Sequence, residues 1–473
     1  MRPQAIIAVL AGILAAVLLV VMLREPDPVA GPAAPVASGR TPAFHTFVSQ
    51  AGRAAELQKS LDVLTSATAQ SLGAHKDDIA LLCDDEEVRK KVVSAYESRW
   101  RISKYEAAAF ADIFMLVRAP EFVGPAREIF LHPEFEVRSK GPQVAATQAH
   151  ASLAAPLLRF YRDLEREHPG EGTQTRLSIL GAAAACGGNE LPLILEAGLA
   201  DSDANVRCCA LDLLASQPIG GFREKLLTLK SAPELAVRLR ALAALGSDAA
   251  AEFERELKLA LVPEMGPERN FALACILARK LCGLLPQLAA LRCAVPVGEE
   301  SLLATTSALL GDESVLGEMR RVLVSAPPGR RDRWMAVQVL AAAGNTEDLL
   351  RITSVLEERR SGDAQAAAAG FNARGSPCSA EILALLFDGE ISHPGQVSAL
   401  VSANGDAILP LIARLLDATQ DLSRAAFLIG MAGIVETRAA RQLILDRHGQ
   451  FPQLVEQQVR LLDLAARRRG VNP

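Results

Sequence analysis

Tryptophan and tyrosine are scarce in this chain, two and three residues out of 473, and aromatics together reach only 4%. Alanine and leucine supply most of the apolar half instead, and both lose little side-chain freedom in a helix, so an all-α protein is expected. No C-x-x-C pair occurs among the eight cysteines, which leaves zinc ribbons, iron–sulfur sites and thioredoxin-like chemistry without their minimal pattern. Cys208 and Cys209 are neighbours, about 100° apart on a helix, while Cys275 and Cys282 lie roughly 10 Å apart along a helix axis. Neither pair closes a local disulfide, so the cysteines read as small buried hydrophobes. H-E-x-x-H is missing and no two histidines stand four apart; glycine-rich phosphate loops and G-x-S-x-G elbows are missing too. Charge of one sign is nowhere collected, the net value being -5, which disfavours nucleic acid as a partner. No catalytic residue, metal ligand or cofactor site is expected on these grounds.

What is present begins at the N-terminus. After a flank of residues 1–4, Ala5 to Leu23 run without a charge, close to the roughly 20 residues that cross a ~30 Å hydrocarbon layer. This reads as a single-pass signal-anchor, with a cleaved signal peptide as the alternative. Arg2 before it and Arg24 after it give a slight inward bias to the N-terminus, so the body is expected outside the cytoplasm, with a cytosolic body as the other topology. The unpaired cysteines pull the other way, since free thiols suit a reducing compartment. Residues 24–43, including "PDPVAGPAAPVASGRTP", are a Pro/Ala-rich spacer.

From residue 169 to the C-terminus an internal repeat dominates. Arg176, Arg207, Arg238 and Arg269 are each separated by 31 residues. Behind them "RCCALDLLA", "RLRALAALG" and "RNFALACIL" align Ala210, Ala241 and Ala272, then Leu211, Leu242 and Leu273, then Leu214, Leu245 and Ile276. "RWMAVQVLA" at Arg333 restates the pattern, and "AAAAGFNA" and "RAAFLIGMA" echo it faintly. Each unit reads as two helices joined by an acid-rich turn such as "DSD", whose side chains cap the second helix. A single pair of short helices cannot bury its apolar face, so neighbours must stack into a continuous α-solenoid. Residues 44–168 differ: they hold all three tyrosines, Trp100 and eight of fifteen phenylalanines, and read as a helical membrane-proximal domain or degenerate cap, with "DDEEVRKKVV" faintly echoing the repeat turn.

The acid-rich turn, the Val-Arg pair and the Ala-Leu-x-x-Leu face in "DSDANVRCCALDLL" and "PELAVRLRALAAL" resemble HEAT repeats, in particular the short bacterial kind also found in phycobilin-lyase-like proteins. The similarity is clear over residues 172–276, fades by 344 and is faint beyond. It implies an armadillo-like helical scaffold that binds protein partners across extended surfaces. Some relatives of this class are enzymes, of the lyase or DNA-glycosylase type, which is the alternative implication. HEAT-repeat hydroxylases carry His-Glu pairs, and this chain has no His-Glu dipeptide.

Two constellations stand out as candidate sites. The arginine column could line a ridge for phosphate or carboxylate, yet Glu171, Asp203, Glu234 and Glu264 each precede an arginine by four or five residues. Arg176, Asp203, Arg207, Glu234, Arg238, Arg269 and Arg333 are therefore expected to form a structural ladder, each acid serving its own repeat or the next. In "YESRWRISKY", Tyr96 and Trp100 share a helical face beside Arg99, Arg101 and Lys104, making this segment the best candidate for a partner surface or lipid headgroups.

Overall fold

The computed structural model describes residues 62, 64, 69–83, 85–101, 103–167, 172–215, 219–295, 300–358, 360–375, 380–388 and 394–468. The expected anchor 5–23, the spacer 24–43 and Glu171 lie outside them. Among the described residues there are helices and turns and no strand. They divide into two compact units, one reaching Ala249 and joined by the residues from Asp463, the other running from Ala250 to Leu462.

The first unit holds α1 (Ala69–Leu82), α2 (Glu86–Arg99), α3 (Lys104–Phe114), α4 (Val123–Ile129), α5 (Phe135–Arg138), α6 (Gly141–Gln148), α7 (Ala154–Glu167), α8 (Thr173–Cys186), α9 (Leu191–Ala200), α10 (Ala204–Leu214), α11 (Arg223–Leu229) and α12 (Leu235–Leu245). One row runs α1, α3, α6, α8, α10, α12, each helix packing on the next in that order, while α2, α4, α7, α9 and α11 each pack on a member of the row. Short polar residues set the starts. Asp85, Ser103 and Asp203 accept backbone amides of the first turns of α2, α3 and α10, relieving the donors that a helix end leaves without partners.

The columns visible in the sequence are the buried ones. Val206 and Val237, immediately before their arginines, are fully buried, and so are Ala210, Leu214, Ala241 and Ile179. Complete burial of a valine or leucine is worth about 1.5–3 kcal/mol, and no single pair of helices supplies two faces to cover it. The same stride extends upstream. His132 Nε2 meets the Trp100 carbonyl 32 residues away, Thr147 donates to Met115 O across 32, and Gln148 donates to Val117 O across 31. Residues 100–150 are thus joined at the spacing read only from Arg176 onward.

The second unit holds α13 (Ala250–Ala260), α14 (Gly266–Ala278), α15 (Leu285–Arg292), α16 (Glu300–Leu309), α17 (Glu313–Ser325), α18 (Arg331–Ala343), α19 (Thr346–Leu356), α20 (Ser361–Arg374), α21 (Ala380–Asp388), α22 (Pro394–Asn404), α23 (Leu409–Ala418), α24 (Leu422–Val435), α25 (Arg438–Asp446) and the start of α26 (Pro452–Arg468). Here α14, α16, α18, α20, α22 and α24 form the row. Its core includes Ala336, Val337, Leu340, Ala367, Phe371, Val401 and Leu428. α18 and α20 approach closely, because small residues let the backbones meet: a Cβ on Gly370 would lie 2.2 Å from the Gln338 carbonyl oxygen. Gly344 ends α18 against Asp348, whose carboxylate completes a reciprocal cap with Asn345 at the start of α19.

One helical stretch among the described residues, Val397–Ala418, is long and apolar enough to cross a membrane. It is broken by a 3-10 turn at Gly405–Ile408, and Val397, Leu400, Val401, Leu411 and Ile412 belong to the core of the second unit.

Candidate functional site

The arginine ladder works through the turns. Arg207 Nη1 donates to the carbonyl oxygens of Asp201 and Ser202 at 2.6 and 2.9 Å. Arg238 repeats this with Ala232 and Pro233 at 3.0 and 2.8 Å, and Arg269 with Val262 and Pro263 at 3.2 and 2.8 Å. Each guanidinium therefore ties down the carbonyls where its own repeat turns from first helix to second, which otherwise have no helical partner. Arg207 then reaches forward to Glu234 of the next repeat at 2.8 Å, and Arg333 reaches Glu358 at 2.8 Å. These carbonyl and carboxylate contacts give the arginine column a structural role.

Glu171, the acid expected to serve Arg176, lies outside the described residues. Arg176 Nε lies 3.0 Å from Asp201, and both side chains are only 2% exposed. Asp201 also accepts a hydrogen bond from the Tyr161 hydroxyl, and its second oxygen accepts the Asp203 amide at 2.8 Å. Burial and the Asp201 carboxylate together push the Tyr161 phenol well above its usual range. Asp203 serves as the cap of α10, accepting the Asn205 amide at 2.8 Å and the Thr173 hydroxyl at 2.7 Å. That hydroxyl, then the helix amides, hold its carboxyl below the usual carboxylate range. Glu234 is likewise lowered, by its backbone amide and by Arg207. Glu264 is exposed.

Replacing Asp203 by alanine is expected to cost about 1 kcal/mol, the ordinary loss of an N-cap. Because its folded pKa is depressed, the contribution is present at neutral pH and fades as pH falls through that lowered value. Urea titrations from neutral to acid pH check this; an alanine variant with the parent's full acid sensitivity contradicts it.

Two further members of the ladder lie upstream of the expected repeat. Arg138 Nη1 donates to His132 and Pro133 carbonyls, both at 3.3 Å, and Arg138 pairs with Glu167 at 3.6 Å. Arg89 donates to Cys83 O at 2.9 Å and pairs with Glu121 at 3.0 Å. The signal was available: "PEFEVR" ending at Arg138 matches "PELAVR" ending at Arg238. A search at a fixed period misses it because 38 residues, not 31, separate Arg138 from Arg176.

The aromatic segment requires a correction. Tyr96 is fully buried and Trp100 is 6% exposed, so the shared face they make points into the protein and offers no stacking surface. Tyr96 stacks with Trp100 at 5.9 Å and meets Phe110 and Phe114 edge-on at 5.8 and 5.3 Å. His132 closes the cluster: its Nδ1 accepts the Glu134 amide at 3.0 Å, which assigns the proton to Nε2, facing the Trp100 carbonyl. In a chain so poor in aromatics, these rings are spent on the core. Of the flanking cations, Arg101 lies over the Trp100 ring at 4.8 Å, Lys104 pairs with Glu136 at 3.0 Å, and Arg99 is half-buried. The outward aromatic at this edge is Tyr105, 68% exposed, a residue the spacing argument passed over.

Neither a protein-family model nor a curated protein sequence matches the chain.

The remaining chemistry is sparse. Among the described residues no group of three or more His, Cys, Asp or Glu side chains is arranged to hold a metal ion. The seven described cysteines are thiols: Cys83, Cys186 and Cys275 are buried, Cys208 and Cys209 half-buried, and Cys282 and Cys293 exposed. Burial pushes the Cys186, Cys208 and Cys209 thiols up to about 11, leaving almost no thiolate at neutral pH. In the second unit a depression of about 550 Å³ is lined by Glu300, Glu318, Val322, Pro327, Arg330, Asp332 and Met335. It is broadly open to solvent, and Glu318 is already held by Arg292 at 2.6 Å.

Proposed function

We propose that the chain is a membrane-tethered HEAT-like α-solenoid acting as a non-catalytic scaffold or adaptor for protein partners. One observation carries this reading: the repeated charged residues are engaged in holding consecutive helix pairs together, so specificity falls to outward side chains that the repeat does not dictate, such as Tyr105 and Arg101. The apolar segment 5–23 and the spacer 24–43 support a tether that keeps the body beside a bacterial inner membrane, on its outer side.

Crosslinking and co-purification of the full-length protein from membranes test it. A reproducible protein partner is expected, binding the purified chain directly in a two-component assay and binding more weakly when Arg101 and Tyr105 are replaced by alanine. Turnover of a small molecule by the purified chain, with no such partner, overturns the scaffold reading. A periplasm-active reporter fused after Pro473 is expected to be active, and a silent fusion overturns the exported body.

A further inference from the structure

Arg333 on α18, a ladder arginine of the second unit, faces two carboxylates. Its Nη2 binds Glu358 at 2.8 Å, and its Nε lies 3.4 Å from Asp363 in the first turn of α20. Glu358 is 40% exposed and Asp363 is wholly buried. Neither carboxylate oxygen of Asp363 accepts a hydrogen bond among the described residues. Among the described residues the charged groups around it are Arg333 from α18 and Glu358 and Arg360 from the turn before α20, and Arg360 is itself bound to Glu358 at 3.2 Å. The guanidinium hydrogen-bonds the more solvated acid, Glu358, and stands beyond good hydrogen-bond distance of the buried one, Asp363.

We propose that Arg333, Glu358 and Asp363 form a proton-operated latch on the first turn of α20, closed while Asp363 carries a proton and released when it ionises. With Asp363 neutral, the buried cluster is a single ion pair between Arg333 and Glu358. With Asp363 charged, a second carboxylate stands wholly buried without hydrogen bonds, an arrangement that burial strongly disfavours. A carboxylate in a helix's first turn is ordinarily favoured by the helix dipole. Here the lack of solvent outweighs that: burial raises Asp363 above the usual carboxylate range against the pull of Arg333, with Glu358 adding to the rise and Arg360 opposing it. Unwinding one turn relieves the charge by returning Asp363 to water. Gly362 precedes Asp363 and packs directly against the Trp334 ring, so its movement also exposes more of a ring that is already 38% exposed.

The sign follows from the raised pKa. Asp363 binds its proton more tightly when closed than when open, so the latch is fully closed below the ordinary carboxylate pKa and loosens as pH rises through the raised one. Hydrogen exchange of the α20 amides in the full-length protein, corrected for intrinsic exchange rates, reads this directly. Protection is expected to fall from about pH 4 upward by up to roughly tenfold per pH unit, the slope of one proton, and then to level. Asp363→Asn abolishes the slope. Glu358→Gln frees Arg333 for Asp363, so α20 is better protected than in the parent at about pH 8. An asparagine variant that keeps the parent's slope overturns the latch, as does a Glu358→Gln variant no better protected than the parent.

Discussion

Replacing Asp201 by alanine is expected to destabilise the first unit by about 3–5 kcal/mol, the usual consequence of stripping one partner from a buried ion pair. Asp201 is a node for three donors: the Tyr161 hydroxyl, the Arg176 guanidinium and the Asp203 amide. Its removal takes a carboxylate away from a guanidinium that is 2% exposed and from a buried phenol. Asp201→Asn restores acceptors for Tyr161 and the Asp203 amide while removing the charge, and falls between the two. Asp212 provides the contrast. It also pairs with an arginine, Arg240, at 2.9 Å, but its side chain is 48% exposed. Water screens that pair, so Asp212→Ala costs about 1 kcal/mol or less. Hydrogen exchange of the α8 and α10 amides measures both variants, and equal losses at the two positions refute the argument from burial.

Gly370→Ala is expected to destabilise the second unit by roughly 1–3 kcal/mol or more, against the ordinary preference for alanine. In an open helix that exchange gains about 1 kcal/mol. At Gly370 the added Cβ meets the Gln338 carbonyl oxygen at 2.2 Å and the Ala341 Cβ at 2.7 Å, both on α18, so the two helices must separate. Gly317 in α17 has nothing within 4 Å of the equivalent position. Gly317→Ala therefore stabilises the same unit slightly. Denaturation of the two variants checks the opposite signs, and a Gly370→Ala protein as stable as the parent rules out the close approach.

The repeat was legible because burial wrote it into the sequence at a fixed stride. Ala210, Ala241 and Ala272 occupy equivalent buried places, and so do Leu211, Leu242 and Leu273. The direction of the arginines was legible only in part. Each acid was expected to serve the arginine of its own repeat or the next, yet Glu234 meets Arg207 of the preceding repeat and Asp201 meets Arg176, because these arginines reach forward to the following turn. Arg138 escaped because extra residues before Arg176 shift the phase, although its local motif is intact. Tyr96 and Trp100 were misplaced for a different reason: helical spacing tells which residues share a face and not which way that face turns. Trp334, Gly362 and Asp363 carried no warning at all, since their contacts join α18 to the start of α20 and belong to no repeated column.

The clamp made by each arginine has a consequence for how the chain is born. Arg207 binds carbonyls five and six residues behind it and an acid 27 residues ahead. Every joint of this kind is complete as soon as one further repeat has emerged from the ribosome or an export channel, with no need for a distant segment to return. Such local wiring favours rapid folding from the N-terminus onward, and it keeps unpaired cations buried for no longer than the synthesis of the next helix pair.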